Sequence, residues 1–257
     1  MKTICITNQK GGIGKSTTAA ALQAGLILKG YKVLLVELDS QCNTSKSYGA
    51  AGGKTALGVL TREITAADAI QHREQGDIIA ACKALAGADT ILSEPGTEYR
   101  LREALEPISS QYDFCIVDTP PSLGKLTVNA LTAGDYVVIP VQADIYSIDG
   151  VAQTWETIKP VKKYCNPKLE IAGVLLTRFS DRACFSRDIE DTFRSDIALL
   201  IGSKVFDATI REAIAVKEAQ YLHKSLFSHA PRHNVTADYS AFIEELLETI
   251  KNIENQK

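Results

Sequence analysis

The chain lacks a membrane span: none of its apolar runs approaches the roughly 18 residues that cross a bilayer. Residues 1–10 lack the apolar core of a signal peptide, so a cytoplasmic location is expected. Excess charge of either sign is also missing, since 28 basic side chains face 31 acidic ones for a formal net charge of -3. That balance excludes a highly basic nucleic-acid coat and an acidic tail protein, and it confines any DNA contact to a local patch. Cysteine is sparse, with six residues at positions 5, 42, 82, 115, 165 and 184, and none stands in CxxC or CxH spacing. Reduced thiols packed as small apolar side chains are expected, with neither a disulfide framework nor a zinc site. No internal repeat, proline-rich stretch or low-complexity linker divides the 257 residues, so a single domain over 1–257 is expected. With 45% apolar residues, a chain of this length buries roughly 70 to 75% of its extended surface, which excludes disorder.

What is present is an alternation of two periodicities. Residues 2–7 (KTICIT) form a short β run that stops at Asn8, glycines follow at 11, 12 and 14, and a helical segment spans 16–29. Gly30 ends that helix, and residues 32–38 (KVLLVEL) are apolar at nearly every position, as suits a strand covered on both faces in a parallel sheet. Further strands are predicted at 114–117, 136–141 and 171–177, with additional candidates at 77–81 and 204–206. Helices are predicted at 99–108, 123–133, 148–164 and 239–253. Strands alternating with helices specify an α/β fold, a doubly wound and mostly parallel sheet flanked by helices.

The chemistry starts in the loop between the first strand and the first helix, Lys10-Gly11-Gly12-Ile13-Gly14-Lys15-Ser16-Thr17. Glycines allow backbone angles that turn consecutive N–H groups inward around phosphate oxygens, and the positive end of the following helix adds to that field. A polyphosphate is the ligand such a loop is built for, as opposed to a glycine turn with no ligand. Lys15 would reach the β and γ phosphates, and Ser16 would give its hydroxyl to Mg2+. The strict GxxxxGK[ST] pattern wants Gly at position 9, where this chain has Gln9, and a second lysine, Lys10, opens the loop. By residue type alone, Lys10 reads equally as an exposed turn residue. Farther along, 114–118 is an apolar strand ending in Asp118, followed by Thr119-Pro120-Pro121-Ser122. A carboxylate at the carboxyl end of a parallel strand beside such a loop can hold Mg2+ through water, and the segment after it can sense the γ phosphate.

The string Asn8 to Thr17 resembles the deviant Walker A motif of the ParA/MinD ATPases, most of all the ParA (Soj-type) partition proteins, and the likeness extends over almost the whole chain. Glu37-Leu38-Asp39-Ser40-Gln41-Cys42-Asn43 is similar to the family's D-x-D-P-Q-x-N segment, with Glu37 in place of the first Asp and Ser40 in place of Pro. The resemblance gives Asp39 the role of positioning the attacking water; a solvated acid at a strand end is the plainer reading. Asp39 joins Ser16 and Asp118 in the expected magnesium set. Gly11, Gly12, Ile13, Gly14, Lys15, Ser16 and Thr17 are the expected phosphate-binding residues. Pro140-Val141-Gln142-Ala143-Asp144 with Gly150 is similar to a further family segment, and the family's adenine contacts fall near Thr177, Arg178, Thr209 and Arg211. The resemblance sends Lys10 across a face-to-face homodimer to the partner's nucleotide, so that ATP makes the dimer and slow hydrolysis undoes it. Lys10, Lys15 and Asp39 are thus the expected catalytic residues, with ATP and Mg2+ as cofactors.

The family divides by what its dimer touches. ParA-like members bind nonspecific DNA and are stimulated by a ParB-like, centromere-binding partner, which implies association with the nucleoid in the ATP state. From 178 to 232, nine basic residues face eight acidic ones. Arg178, Arg182, Arg187, Arg211, Lys217 and Lys224 are the candidate DNA-contacting residues, and ordinary solvated charges are the competing reading. A MinD-like positioning ATPase would need a basic amphipathic C-terminal helix. Tyr239, Phe242, Ile243, Leu246, Leu247, Ile250 and Ile253 form an apolar stripe, but the polar face carries Glu244, Glu245, Glu248 and Glu254 against Lys251. Anionic lipid would repel that face, so the helix is expected to pack on the sheet and no membrane partner is expected. Iron proteins that share KGGIGKST need two suitably placed cysteines; Cys115 lies in a predicted buried strand and Cys82 lacks glycine-rich surroundings, so no iron–sulfur cluster is expected. A last alternative is an ATP-switched, DNA-bound regulator without turnover. The first strand begins at Lys2, so no helix-turn-helix is expected ahead of the loop.

Overall fold

The computed structural model describes residues 1–50, 52–142, 147–179 and 187–256. Its core strands are those whose residues are apolar on both faces. β1 (Lys2–Ile6), β2 (Val33–Glu37), β5 (Phe114–Asp118) and β6 (Tyr136–Gln142) are buried almost throughout, and only helical layers on both sides of a sheet accomplish that. With β3 (Ile70–Arg73), β4 (Gly76–Ile79), β7 (Glu170–Phe179) and β8 (Val205–Arg211), they form one sheet in the order β3-β4-β2-β5-β1-β6-β7-β8. Every neighbouring pair is parallel except β3 with β4, a tight antiparallel hairpin at one edge.

Helices α1 (Lys15–Leu28), α10 (Ile214–Tyr221), α11 (Leu226–His229) and α12 (Asn234–Asn255) contribute to the core of one face. α3 (Ala56–Leu60), α4 (Ala66–Ala69), α5 (Ala88–Ile91), α6 (Arg100–Leu105), α7 (Lys125–Ala133), α8 (Ser147–Tyr164) and α9 (Arg187–Ile201) cover the other. α2 (Asn43–Ser47) sits at the carboxyl end of β2. The acidic C-terminal segment packs on the sheet as expected: Tyr239, Phe242, Ile243, Leu246 and Ile250 are buried, and Phe242 meets Phe206 edge-on at 5.1 Å between ring centres. Glu245, counted above on the polar face, accepts from the backbone N–H groups of Asp207 and Ala208 at 3.0 Å each and so pins α12 to β8. Among the described residues, no helix is long and apolar enough to cross a membrane.

Three elements depart from the sequence expectation. The helix expected over 99–108 is α6 flanked by 3-10 turns, Thr97–Tyr99 and Glu106–Ile108, because Pro107 supplies no N–H to continue the ladder. The last strand runs to Arg211 and not 206, carrying Thr209 and Arg211 into the sheet. α12 starts at Asn234, where His233 accepts from the Val235 N–H and caps it.

Register places the chemistry. Glu37 pairs with Asp118 across β2 and β5, and Asp118 pairs with Ile6 across β5 and β1. Three adjacent strands therefore end at one level, and the loops that leave them gather at the carboxyl edge of the sheet.

Candidate functional site

The glycine-rich loop is held from below. Asn8, buried, donates to the Pro140 carbonyl at 2.8 Å and accepts from the Lys10 N–H at 2.9 Å. Ile13 is buried, and its carbonyl accepts from the Thr177 hydroxyl at 2.7 Å, which also reaches the Val141 carbonyl at 3.2 Å. Gly12 and Gly14 have φ of 75° and 92°, backbone that side chains resist. A Cβ added at Gly11 or Gly12 would meet nothing within 4 Å, so the space above the loop is open. α1 begins directly after Gly14 with no acid in its first turn, so its N-terminal dipole favours an anion at the loop. Gly11, Gly12, Gly14, Lys15, Ser16 and Thr17 line a cavity of about 650 Å³, with Asp39, Gln41, Asn43, Thr44, Lys46 and Ser47 opposite them.

Lys15 is buried and donates to the Lys10 carbonyl at 2.9 Å, bridging the two ends of its own loop. Burial pushes its ammonium below the usual lysine range, against the pull of Asp118 and Asp39. Asp118 is fully buried. One oxygen accepts from the Thr44 hydroxyl at 2.8 Å; the other, Oδ1, makes no hydrogen bond among the described residues. Burial first, then the charge of Glu37, raise its pKa to about 7, although Ser16 and Thr44 favour its charged form. A buried carboxylate with an orphaned oxygen, next to a serine hydroxyl and an open phosphate-type loop, has the donor set a hard divalent cation takes. Magnesium therefore fits the residues present. Asp39 lies at the cavity wall and accepts from the Gln41 N–H at 2.9 Å, which folds its loop back on itself.

The other expected residues divide. Thr177 lies beneath the loop and braces it. Arg178, exposed and with φ of 52°, stands at the rim of the large cavity and of a smaller one of about 120 Å³, whose apolar lining includes Ile210, Ala213 and Val216. Arg211 lines the smaller cavity, but its guanidinium grips Asp238 with Nε at 2.7 Å and Nη2 at 2.8 Å. Thr209, half-buried on β8, lines neither cavity. Lys217 borders the smaller cavity, and Lys217 and Lys224 are exposed. Arg182 lies outside the described residues, as do Ala143, Asp144 and the side chain of Arg187.

Two contributions were not read from the sequence. α10 and the turn that follows it close the cavity from the side: Gln220 donates to the Thr17 hydroxyl at 3.2 Å, and the His223 ring lies 3.3 Å from the Ser47 carbonyl. Only the short apolar pattern Ala215–Ala219 marks that helix in the sequence. Glu37 is the other. Fully buried, it accepts from the N–H groups of Thr44 and Ser45 at 2.8 Å each and from the Ser45 hydroxyl. The signal was there, a lone acid in an otherwise apolar strand, which has to find donors.

A family model described as an AAA domain (AAA_31) matches residues 1–171. The sporulation initiation inhibitor protein Soj of Bacillus subtilis is 36% identical over 251 residues, 95% of this chain and 98% of that protein. The chromosome partitioning protein ParA of Caulobacter vibrioides is 38% identical over 227 residues, 85% of this chain and 84% of that one. A solved structure from Mycobacterium smegmatis, titled cobyrinic acid a,c-diamide synthase with bound ATP analog and magnesium, superposes with a TM-score of 0.83 at 31% identity, covering 98% of this chain and 96% of that one.

Proposed function

The chain belongs to the ParA/MinD family of P-loop ATPases, on its Soj/ParA side, and on that premise we propose that it is an ATP- and magnesium-dependent partition ATPase. It binds ATP, dimerises on it, holds nonspecific DNA in that state and hydrolyses the nucleotide slowly under stimulation by a ParB-like partner. It acts as one domain, 1–257, on the nucleoid. The observation that carries the reading is the convergence of Lys15, Ser16 and the first-turn amides of α1 with Asp39 in one open cavity, where buried Asp118 keeps an unpaired oxygen beneath them.

The first-turn amides and Lys15 take the triphosphate, and Lys15 leaves the Lys10 carbonyl to do so. The Ser16 hydroxyl and Asp118 would hold magnesium, which would supply neutralisation of the charge that develops on the phosphoryl oxygens. Asp39 accepts a hydrogen bond from the attacking water and orients it. Lys10, exposed at the loop's start, reaches the nucleotide of the second copy. The small cavity beside Arg178 and Val216 takes the base. Arg178, Lys217 and Lys224 supply phosphate contacts to DNA, while Arg211 is committed to Asp238. The Caulobacter vibrioides relative, similar over most of its length, is named for chromosome partitioning, which favours this reading over the amide synthesis in the Mycobacterium smegmatis title.

Calorimetry with ADP or ATP and magnesium, followed by steady-state phosphate release, tests the core of it. Binding with turnover is expected; absence of any heat of interaction would refute it. Asp39→Ala is expected to lose turnover and keep the ATP dimer. If the wild type shows no turnover at all, the protein is a nucleotide switch and no hydrolase.

A further inference from the structure

We infer that Glu37 is a positioning residue of the ATPase site, acting through Thr44 on Asp118 and through the start of α2 on the loop that carries Asp39. The inference rests on the ATPase reading above.

A carboxylate at the end of a fully buried strand is a costly choice. The packing around it gives no reason for it: the rest of β2 is Val and Leu, all buried. Its partners give the reason. The Thr44 N–H donates to Glu37 at 2.8 Å and the Thr44 hydroxyl donates to Asp118 at 2.8 Å, so one residue lies between the two carboxylates and donates to both. Among the described residues, that leaves Asp118 with one oxygen engaged and Oδ1 unpartnered. The Glu37–Thr44 bond also closes the segment from 37 to 44 on itself, and Asp39 rides on it. Within that segment the backbone turns through Cys42 at a φ of 55°, a strained geometry that persists only where the surroundings enforce it. Ser45 extends the tie, since its hydroxyl donates to Glu37 and accepts from the Ala81 N–H at 2.9 Å, just beyond β4. Glu37 thus fixes two groups it does not itself bring to substrate: the water-orienting acid and the metal-side acid.

The test uses the full chain with three substitutions, Glu37→Gln, Thr44→Val and Thr44→Ser. Steady-state hydrolysis gives kcat and KM; calorimetry gives ADP affinity with and without magnesium. Thr44→Val keeps the volume and deletes the hydroxyl. It should lower kcat about tenfold and shrink the magnesium-dependent gain in ADP affinity by a similar factor, with metal-free ADP binding within about twofold of wild type. Thr44→Ser should restore both. Glu37→Gln, which puts an amide N–H against a backbone N–H, should lower kcat by about 10- to 100-fold. Wild-type kcat and an intact magnesium increment in Thr44→Val would overturn the inference. So would a Thr44→Ser protein as impaired as Thr44→Val, or metal-free ADP binding lost in step with turnover. If Glu37→Gln does not fold, the Thr44 pair decides alone. A wild type that neither binds nor hydrolyses nucleotide removes the ATPase reading, and the inference with it. Wild-type turnover with unaffected variants removes only the inference.

Discussion

Asp118 shows how much one residue's surroundings change its chemistry. As a strand-end acid it reads from sequence as a metal-side ligand; only the fold adds that it is buried beside a second carboxylate and raised to about 7. A folded-state pKa above the ordinary carboxylate value means that the native state binds the proton more tightly than the unfolded chain. That stabilisation is complete below about pH 4 and is lost as pH rises through about 7, at roughly 1.4 kcal/mol per pKa unit of difference. Burial also holds Glu37 above the ordinary range, which adds to the same slope. The nucleotide-free protein should therefore lose a few kcal/mol between about pH 5 and pH 8 relative to Asp118→Asn, measured by urea unfolding at both values. Equal pH slopes in the two proteins would contradict the assignment. The same variant should lose the magnesium-dependent part of nucleotide binding. Lys10 is a prediction of the same scale: Lys10→Ala should abolish ATP-driven dimerisation or turnover while leaving monomer folding intact. Sedimentation and phosphate release check it, and unchanged behaviour in both would refute the role.

Among the elements, α1 and α12 give the clearest energetic statement. Gly25 lies in the middle of α1 because a Cβ there would overlap Ile243 Cδ1 and fall 3.1 Å from the Phe227 ring. Gly25→Ala should cost about 1–3 kcal/mol from overpacking, despite the better helix propensity of alanine. Adding Ile243→Val, which deletes the clashing methyl, should recover much of it. Thermal unfolding of the two singles and the double gives the coupling; strict additivity would show that the contact is relieved elsewhere. The same scale shows where sequence reading worked. The loop and α1 were legible because glycine spacing and a capping break are local. The 99–108 helix was misjudged because apolar periodicity outvoted Pro107; the candidate strand at 77–81 is β4, but its antiparallel partner β3 went unseen because only four residues carry it. α10 and the turn after it shape the site with two polar contacts, to Thr17 and Ser47, that no periodicity announces.

For the whole molecule, the near-neutral charge ties the proposed DNA binding to the proposed dimer, because a few exposed cations gain affinity when two copies present them together. Co-sedimentation with nonspecific DNA should require ATP and weaken steeply with salt. Lys217→Ala and Lys224→Ala should each reduce the salt slope by about one contact, whereas Arg211→Ala, already paired with Asp238, should leave it unchanged. Retention on anionic liposomes in place of DNA would reverse the assignment. The sequence alone determined the alternation of strands and helices, the phosphate-type loop with Lys15 and Ser16, and the burial of the acidic C-terminal helix, because each is written in neighbouring residues and their period. The tertiary structure alone decided that Glu37, Thr44 and Asp118 form one buried network, that Thr177 braces the loop, and that Arg211 turns away to Asp238. Those contacts join residues far apart in the chain, and their geometry follows from sheet order and register, which no local pattern encodes.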